Sequence, residues 1–217
     1  MSMSVEDVAA APRTARPIPN TPENVLEQFS MRGKVTVVSG ASEGIGFAVA
    51  EAIAEAGGDV ALWYNSNPAA VTKGEQLAKQ HGIRTKAYQV QISDPDQVEK
   101  AISSVVNDFG KLDVFIANAG RGSSKPILEQ SIDEYKQVMS VNGMKDSAPR
   151  RTLPSYLTFC YLVDGVFYCA KYAGLVFKKQ GFGAMIINSS ISAHIVNVPL
   201  DQGVGVIQVR YMSSVLG

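Results

Sequence analysis

The chain has 217 residues, and a hydrophobic share of 46% over that length is enough to bury one α/β core, so a single domain is expected. Twenty Lys+Arg balance twenty Asp+Glu for a formal net charge of zero, which argues against partners gathered by charge, nucleic acid or an anionic membrane surface, and for a small molecule. The two cysteines, Cys160 and Cys169, have neither metal-ligand spacing nor the density of a disulfide scaffold, so no metal site is expected and the compartment reads as reducing and cytoplasmic.

The opening segment MSMSVEDVAAAPRTARPIPNTPENV has no apolar stretch after a basic start, and no run of eighteen apolar residues occurs. Neither a secretory signal nor a membrane span is expected. Four prolines between Ala9 and Pro22 make residues 1–30 read as a flexible arm ahead of a domain at 31–202.

From Lys34 strands and helices alternate. KVTVVSG is a β-branched run suited to a strand buried on both faces, stopping at Ser39-Gly40. Ile45, Ala48, Val49, Ala52, Ile53 and Ala56 then fall on one helical stripe that ends at Gly57-Gly58. DVALWY is the second strand, Ala69 to Gln80 a helix closed by Gly82, and RTKAYQVQI the third strand. Asp94-Pro95-Asp96-Gln97 caps a helix with the stripe Val98, Ala101, Ile102, Val105, Val106 and Phe109, ended by Gly110. LDVFIANAG is the fourth strand, Ser131 and Glu134 form a capping box for a helix to about Val141, and AMIINSS is the fifth strand. Such alternation predicts a doubly wound parallel sheet, a Rossmann-type three-layer α/β/α fold with its ligand crevice at the strands' carboxyl ends.

The turn SGASEGIG between the first strand and helix places Gly40, Gly44 and Gly46 where backbone N–H groups can approach a pyrophosphate, with Ser42, Glu43 and Ile45 in the same cradle. Its G-x-x-x-G-x-G spacing, followed by ANAG at Ala117 to Gly120, resembles the short-chain dehydrogenase/reductase family, whose turn reads TGxxxGxG and whose fourth strand ends in NNAG. Ser39 stands for the threonine and Ala117 for the first asparagine. The resemblance covers about Met31 to Gln202. It implies that Asn118, Ala119 and Gly120 lie against the adenosine ribose, and that Gln91 takes the place of an aspartate that hydrogen-bonds the adenine. The second strand ends in WYNSNP, without the carboxylate that an NAD site needs for its ribose hydroxyls. Asn65 and Ser66 are neutral donors there, so the cofactor reads as NADP(H). No arginine sits in the loop; Lys73 could supply charge, although a lysine on a helix surface is more often merely solvated.

For carbonyl reduction the family uses a serine after the fifth strand, an asparagine, and a tyrosine with a lysine four residues later. The resemblance puts Ser190 in the serine's place, a fixed 13-residue spacing to the tyrosine position would nominate Ser192, and Asn142 in MSVN matches the asparagine. His194 could line the substrate pocket. None of the eight tyrosines has a lysine four residues on, and positions 205 and 209, where the pair would stand, hold Gly205 and Val209. A second departure is GMKDSAPRRTLPSYLTFCYL, Gly143 to Leu162, which interrupts the helical stripe with two prolines. Residues 143–162 therefore read as an insertion or retained intron and 203–217 as a tail foreign to the family, leaving the fold incomplete at its C-terminus. Within the family, SGASEGIGFAVAEAIAEAGGDVALWYNSNP, SAHIVNVP and the lead-in TPENVLEQFSMRGKV look like the branch of fungal sorbose reductases, mannitol 2-dehydrogenases and arabinitol dehydrogenases. That implies NADP(H)-dependent interconversion of a ketose and a polyol, in a homotetramer. The alternatives are a catalytically inactive NADP-binding protein and a misread gene product.

Overall fold

A computed structural model of the chain describes residues 21–120, 131–134 and 164–189. It divides into two units, Met1–Ser30 and Met31–Gly217. In the first, the short helix α1, Val25–Gln28, begins at Asn24, whose side chain accepts the Leu26 N–H at 2.9 Å.

In the second unit the strands β1 (Val35–Ser39), β2 (Asp59–Tyr64), β3 (Thr85–Gln89), β4 (Val114–Ala117) and β5 (Ala184–Ile187) alternate with the helices α2 (Gly44–Glu55), α3 (Ala69–His81), α4 (Pro95–Phe109) and α5 (Asp164–Gln180). The sheet order is β3-β2-β1-β4-β5 with every pair parallel. The chain winds outward from β1 in one direction as far as β3, then returns to β1's other side with β4. That reversal opens a crevice at the carboxyl ends of β1 and β4.

Strand residues alternate between two cores, which is why the strands read as continuous apolar runs. Val35, Val37, Ala61, Trp63, Phe115 and Ala117 join a core completed by α4 and by Cys169 and Ala173 of α5. Val38, Val60, Leu62 and Ile116 face the opposite way, onto Ala50 and Ala54 of α2 and Ala70 and Leu77 of α3. Trp63 and Phe115 meet edge to face across β1, with centroids 5.2 Å apart and planes at 82°. Such pairs add about 0.5–1.5 kcal/mol to the burial itself.

Helix α4 follows its sequence pattern. Val98, Ala101, Ile102, Val105 and Phe109 are buried, and Asp94 accepts the N–H groups of Asp96 and Gln97. The Ser131–Glu134 capping box is formed, with Glu134 N–H donating to Ser131 Oγ at 3.1 Å and Ser131 N–H to Glu134 Oε2 at 2.9 Å; the rest of the helix expected to about Val141 lies outside the described residues.

Helix α2 departs from its pattern. Ile45, Ala48 and Ala52 are exposed, and the buried edge runs through Gly46, Ala50 and Ala54. The helix approaches the sheet so closely that its smallest residues form the contact, while Ile45, 67% exposed, is released to the crevice. The third strand also ends earlier than its apolar pattern, at Gln89, which leaves Gln91 two residues beyond it.

Candidate dinucleotide site

A cleft of about 670 Å³ lies at the carboxyl ends of β1, β2, β3 and β4. Its base is the turn after β1. Gly40 has φ +68°, and a Cβ on it would lie 2.9 Å from Ala119 Cα, so both conformation and space demand glycine. Gly46 has ordinary helical backbone, but its Cβ would abut the Gly40 carbonyl oxygen and lie 2.5 Å from Asn118 Nδ2. These two positions let the amino end of α2 settle onto the turn. Glu43 is the N-cap of α2 and makes no side-chain capping bond, unlike Asp94 on α4. The first-turn N–H groups of α2 are thus without a capping side chain beside the cleft, where ligand oxygens could accept from them.

Three polar side chains knit the strand ends behind this turn. The buried Ser39 hydroxyl donates to the Ile116 carbonyl at 3.3 Å and accepts the N–H groups of Asn118 and Ala119, each at 3.0 Å. A threonine would present the same oxygen. Asn118 Nδ2 donates to the carbonyls of Ser39 at 3.0 Å and Gly40 at 3.4 Å, and its Oδ1 accepts from Asn188 Nδ2 at 2.9 Å. Asn118 thereby ties β1 to the residues that follow β5, with Ala119 and Gly120 beside it in the cleft wall.

The loop after β2 forms the opposite rim. Asn65 and Ser66 are exposed there, and the Asn65 carbonyl is held by Gln89 Nε2 at 2.9 Å. Asn67 was not among the candidates, yet it joins this loop to the glycine turn: its carbonyl accepts the Ser42 hydroxyl at 2.9 Å and its Nδ2 donates to Glu43 Oε2 at 3.3 Å. Lys73 is not the solvated surface lysine its position suggests. Its Nζ donates to the Ser42 carbonyl at 2.7 Å and sits 4.4 Å from the centre of the Phe47 ring.

Trp63, Val90 and Ile92 complete an apolar wall that sequence reasoning did not single out. Their signal was present, since each lies at or just beyond the carboxyl end of a strand bordering the crevice. Gln91 lines the same wall, with its Nε2 donating to Ser93 Oγ and its N–H to Gln97 Oε1, each at 3.0 Å. Close by, the backbone N–H of Gln97 holds the Asp94 carboxyl below its ordinary range, helped by the Gln97 amide, the Asp96 N–H and Lys100, against opposing desolvation.

The structure therefore brings together Gly40, Ser42, Glu43, Ile45 and Gly46 from the turn, Asn65 and Ser66 from the second strand's end, Gln91, and Asn118 to Gly120. Gly44, at the start of α2, is not part of the lining. Asn142, Ser190, Ser192 and His194, the segment 143–162 and the tail 203–217 lie outside the described residues. Among the described residues no helix is long and apolar enough to cross a membrane, and no three His, Cys, Asp or Glu side chains gather as a metal site would require.

A model of the short chain dehydrogenase family matches residues 34–144, the stretch that holds the glycine turn, both rims and the ANAG segment. The chain belongs to this family. Among its relatives is a Yarrowia lipolytica protein named "Probable NADP-dependent mannitol dehydrogenase", 43% identical over 84% of this chain and 59% of that protein. The sorbose reductase of Candida albicans is 42% identical over 83% of this chain and 58% of its own length. The chain thus spans a little under three fifths of these curated relatives. The crystal structure of an NADPH-dependent 3-quinuclidinone reductase from Rhodotorula rubra superposes with a TM-score of 0.78 at 39% identity, covering 92% of this chain and 68% of that one. The family assignment accords with the parallel sheet and the position of the cleft; the substrates in those names belong to those proteins.

Proposed function

We propose that this short chain dehydrogenase binds NADP(H) in the cleft and serves the reversible reduction of a ketose to a polyol. The observation that carries the proposal is the cleft itself: a turn that only glycine can form, the uncapped amino end of α2 beside it, and a second-strand end furnished with Asn65 and Ser66 in place of a carboxylate. The fit to a dinucleotide is one of shape and donor chemistry. The adenine would meet Trp63, Val90, Gln91 and Ile92, the ribose Asn118 to Gly120, and the phosphates the N–H groups of the turn. The names of the relatives support NADP over NAD and a sugar or polyol over other carbonyl compounds.

The bound nicotinamide would supply hydride. Toward the carbonyl, the resemblance nominates Ser190 as the hydrogen-bond donor that orients it, with Ser192 as the alternative, and Asn142 as the residue organising the proton path. No Tyr-x-x-x-Lys pair occurs among the 217 residues, so binding and turnover are separate questions. The segment 143–162 bears on the same point, and we read it as a retained intron; spliced cDNA that keeps its sixty nucleotides would rule that out.

The test is to express the chain as given beside the protein encoded by spliced transcript, measuring the NADPH-induced thermal shift and the oxidation of NADPH with fructose, sorbose and xylulose. The expected result is a thermal shift in both and ketose reduction only where the tyrosine and lysine are present. Rapid reduction by the chain as given would refute the need for that pair, and absence of a shift in both would refute the dinucleotide reading.

A further inference from the structure

We infer that the indole N–H of Trp63 reads the nucleobase by donating to an acceptor nitrogen of the purine ring. The inference rests on the dinucleotide reading above and adds a discriminating residue to that same site. Three buried side-chain polar atoms have no hydrogen-bond partner among the described residues: Thr36 Oγ1, Trp63 Nε1 and His81 Nε2. Of the three residues only Trp63 lines the cleft. A buried donor without an acceptor is costly, and native proteins keep few of them without a structural or functional reason.

The surroundings of the ring explain why the protein itself leaves this donor unused. Trp63 is paired with Ser39 of β1 and Tyr88 of β3, and its side chain joins the core that holds Val37, Val90, Ile92 and Phe115. None of those four side chains carries an acceptor. Its backbone carbonyl is already taken by the Ala41 N–H at 2.9 Å. Gln91, between Val90 and Ile92, commits its amide N–H to Ser93 Oγ at 3.0 Å. An indole donates one hydrogen bond and accepts none, so this part of the wall offers a single spare donor in apolar surroundings. A phosphate or a sugar hydroxyl brought there would give up its hydration for one bond. A purine instead sheds apolar ring surface against the wall and still carries ring nitrogens that accept. The pairing of one donor with an apolar wall therefore selects the base over the rest of the dinucleotide.

The test exploits the single tryptophan of the chain, which gives one indole N–H signal in a proton–nitrogen correlation spectrum. The whole chain is titrated with 5′-AMP and with ribose 5-phosphate, which lacks the base, and calorimetry on the parent and on Trp63→Phe measures affinity for both. A neutral hydrogen bond corresponds to roughly threefold to tenfold in affinity. The expected result is a downfield shift of the indole proton with 5′-AMP and none with ribose 5-phosphate, and a loss of about threefold to tenfold for 5′-AMP in Trp63→Phe with ribose 5-phosphate kept within about twofold. An indole signal unmoved by 5′-AMP that calorimetry shows to be bound, or moved equally by ribose 5-phosphate, would overturn the inference and leave the dinucleotide reading standing. A folded Trp63→Phe that binds 5′-AMP as tightly as the parent would do the same. Failure of the parent chain to bind 5′-AMP and NADPH alike would overturn both. Should Trp63→Phe not fold, the parent spectra decide alone, since they require no variant.

Discussion

Replacing Gly46 by alanine reverses the sign of an ordinary substitution. At a helical glycine with space around it, alanine stabilises by about 1 kcal/mol through helix propensity and a less flexible unfolded chain. At Gly46 the added Cβ would press on the Gly40 carbonyl and lie 2.5 Å from Asn118 Nδ2, where ordinary contact begins near 3.4 Å. Either α2 retreats by roughly 1 Å or Asn118 rotates away, giving up its bonds to the Ser39 and Gly40 carbonyls. Overpacking of this kind costs about 1–3 kcal/mol, and a partner lost by a part-buried amide about 1 kcal/mol more. After the propensity gain, a net loss of about 1–3 kcal/mol remains, or several degrees in melting temperature for a chain of this size. Urea unfolding and NADPH titration of Gly46→Ala measure the two consequences together. A variant more stable than the parent, with unchanged affinity for NADPH, would refute the close approach of α2 to the turn.

Three further outcomes follow from the same contacts. Ser39→Ala removes one acceptor shared by two backbone N–H groups and is expected to lower stability by about 1–3 kcal/mol in urea melts, whereas Ser39→Thr keeps the oxygen and should cost less. Asn67→Ala leaves the backbone carbonyl that Ser42 uses but removes the bond to Glu43 and the acceptor of the Ala69 N–H at the start of α3, so urea melts should show a loss of about 0.5–2 kcal/mol and NADPH titration a change of no more than a few-fold. Burial pushes the Cys169 thiol up from 9.0 to about 12. A raised folded pKa means that the unfolded chain releases this proton first, so the contribution is complete below pH 9 and is lost as pH rises from there toward 12, at ~1.4 kcal/mol per unit. The parent chain should therefore lose stability above pH 9 more steeply than Cys169→Ala does; parallel slopes would contradict the burial of that thiol.

Legibility in the sequence tracked the size of the residues at each contact. Helix α4 could be read because its buried face is made of large apolar side chains at helical spacing, and because Asp94 and Pro95 announce its start. Helix α2 could be located but its buried face could not, since a contact made through Gly46, Ala50 and Ala54 leaves the weakest apolar signal, while Ile45 is apolar for the sake of the cleft. The glycines, Asn118 and the rim residues Asn65 and Ser66 were visible because their spacing is local. The clasp of Asn67 and Lys73 was not, because its bonds join positions 24 to 31 residues apart and exist only once β2 is seated beside β1.

The chain contains a single tryptophan, and the structure places it in the cleft wall, 1% exposed. Titration of NADPH while following Trp63 emission is therefore the most direct test of the central proposal. Binding in the cleft predicts saturable quenching of Trp63 with matching sensitised emission from the nicotinamide, reversed by NADP+ and weakened in Gly46→Ala. Trp63 emission unchanged by millimolar NADPH, in protein that still melts cooperatively, would contradict it.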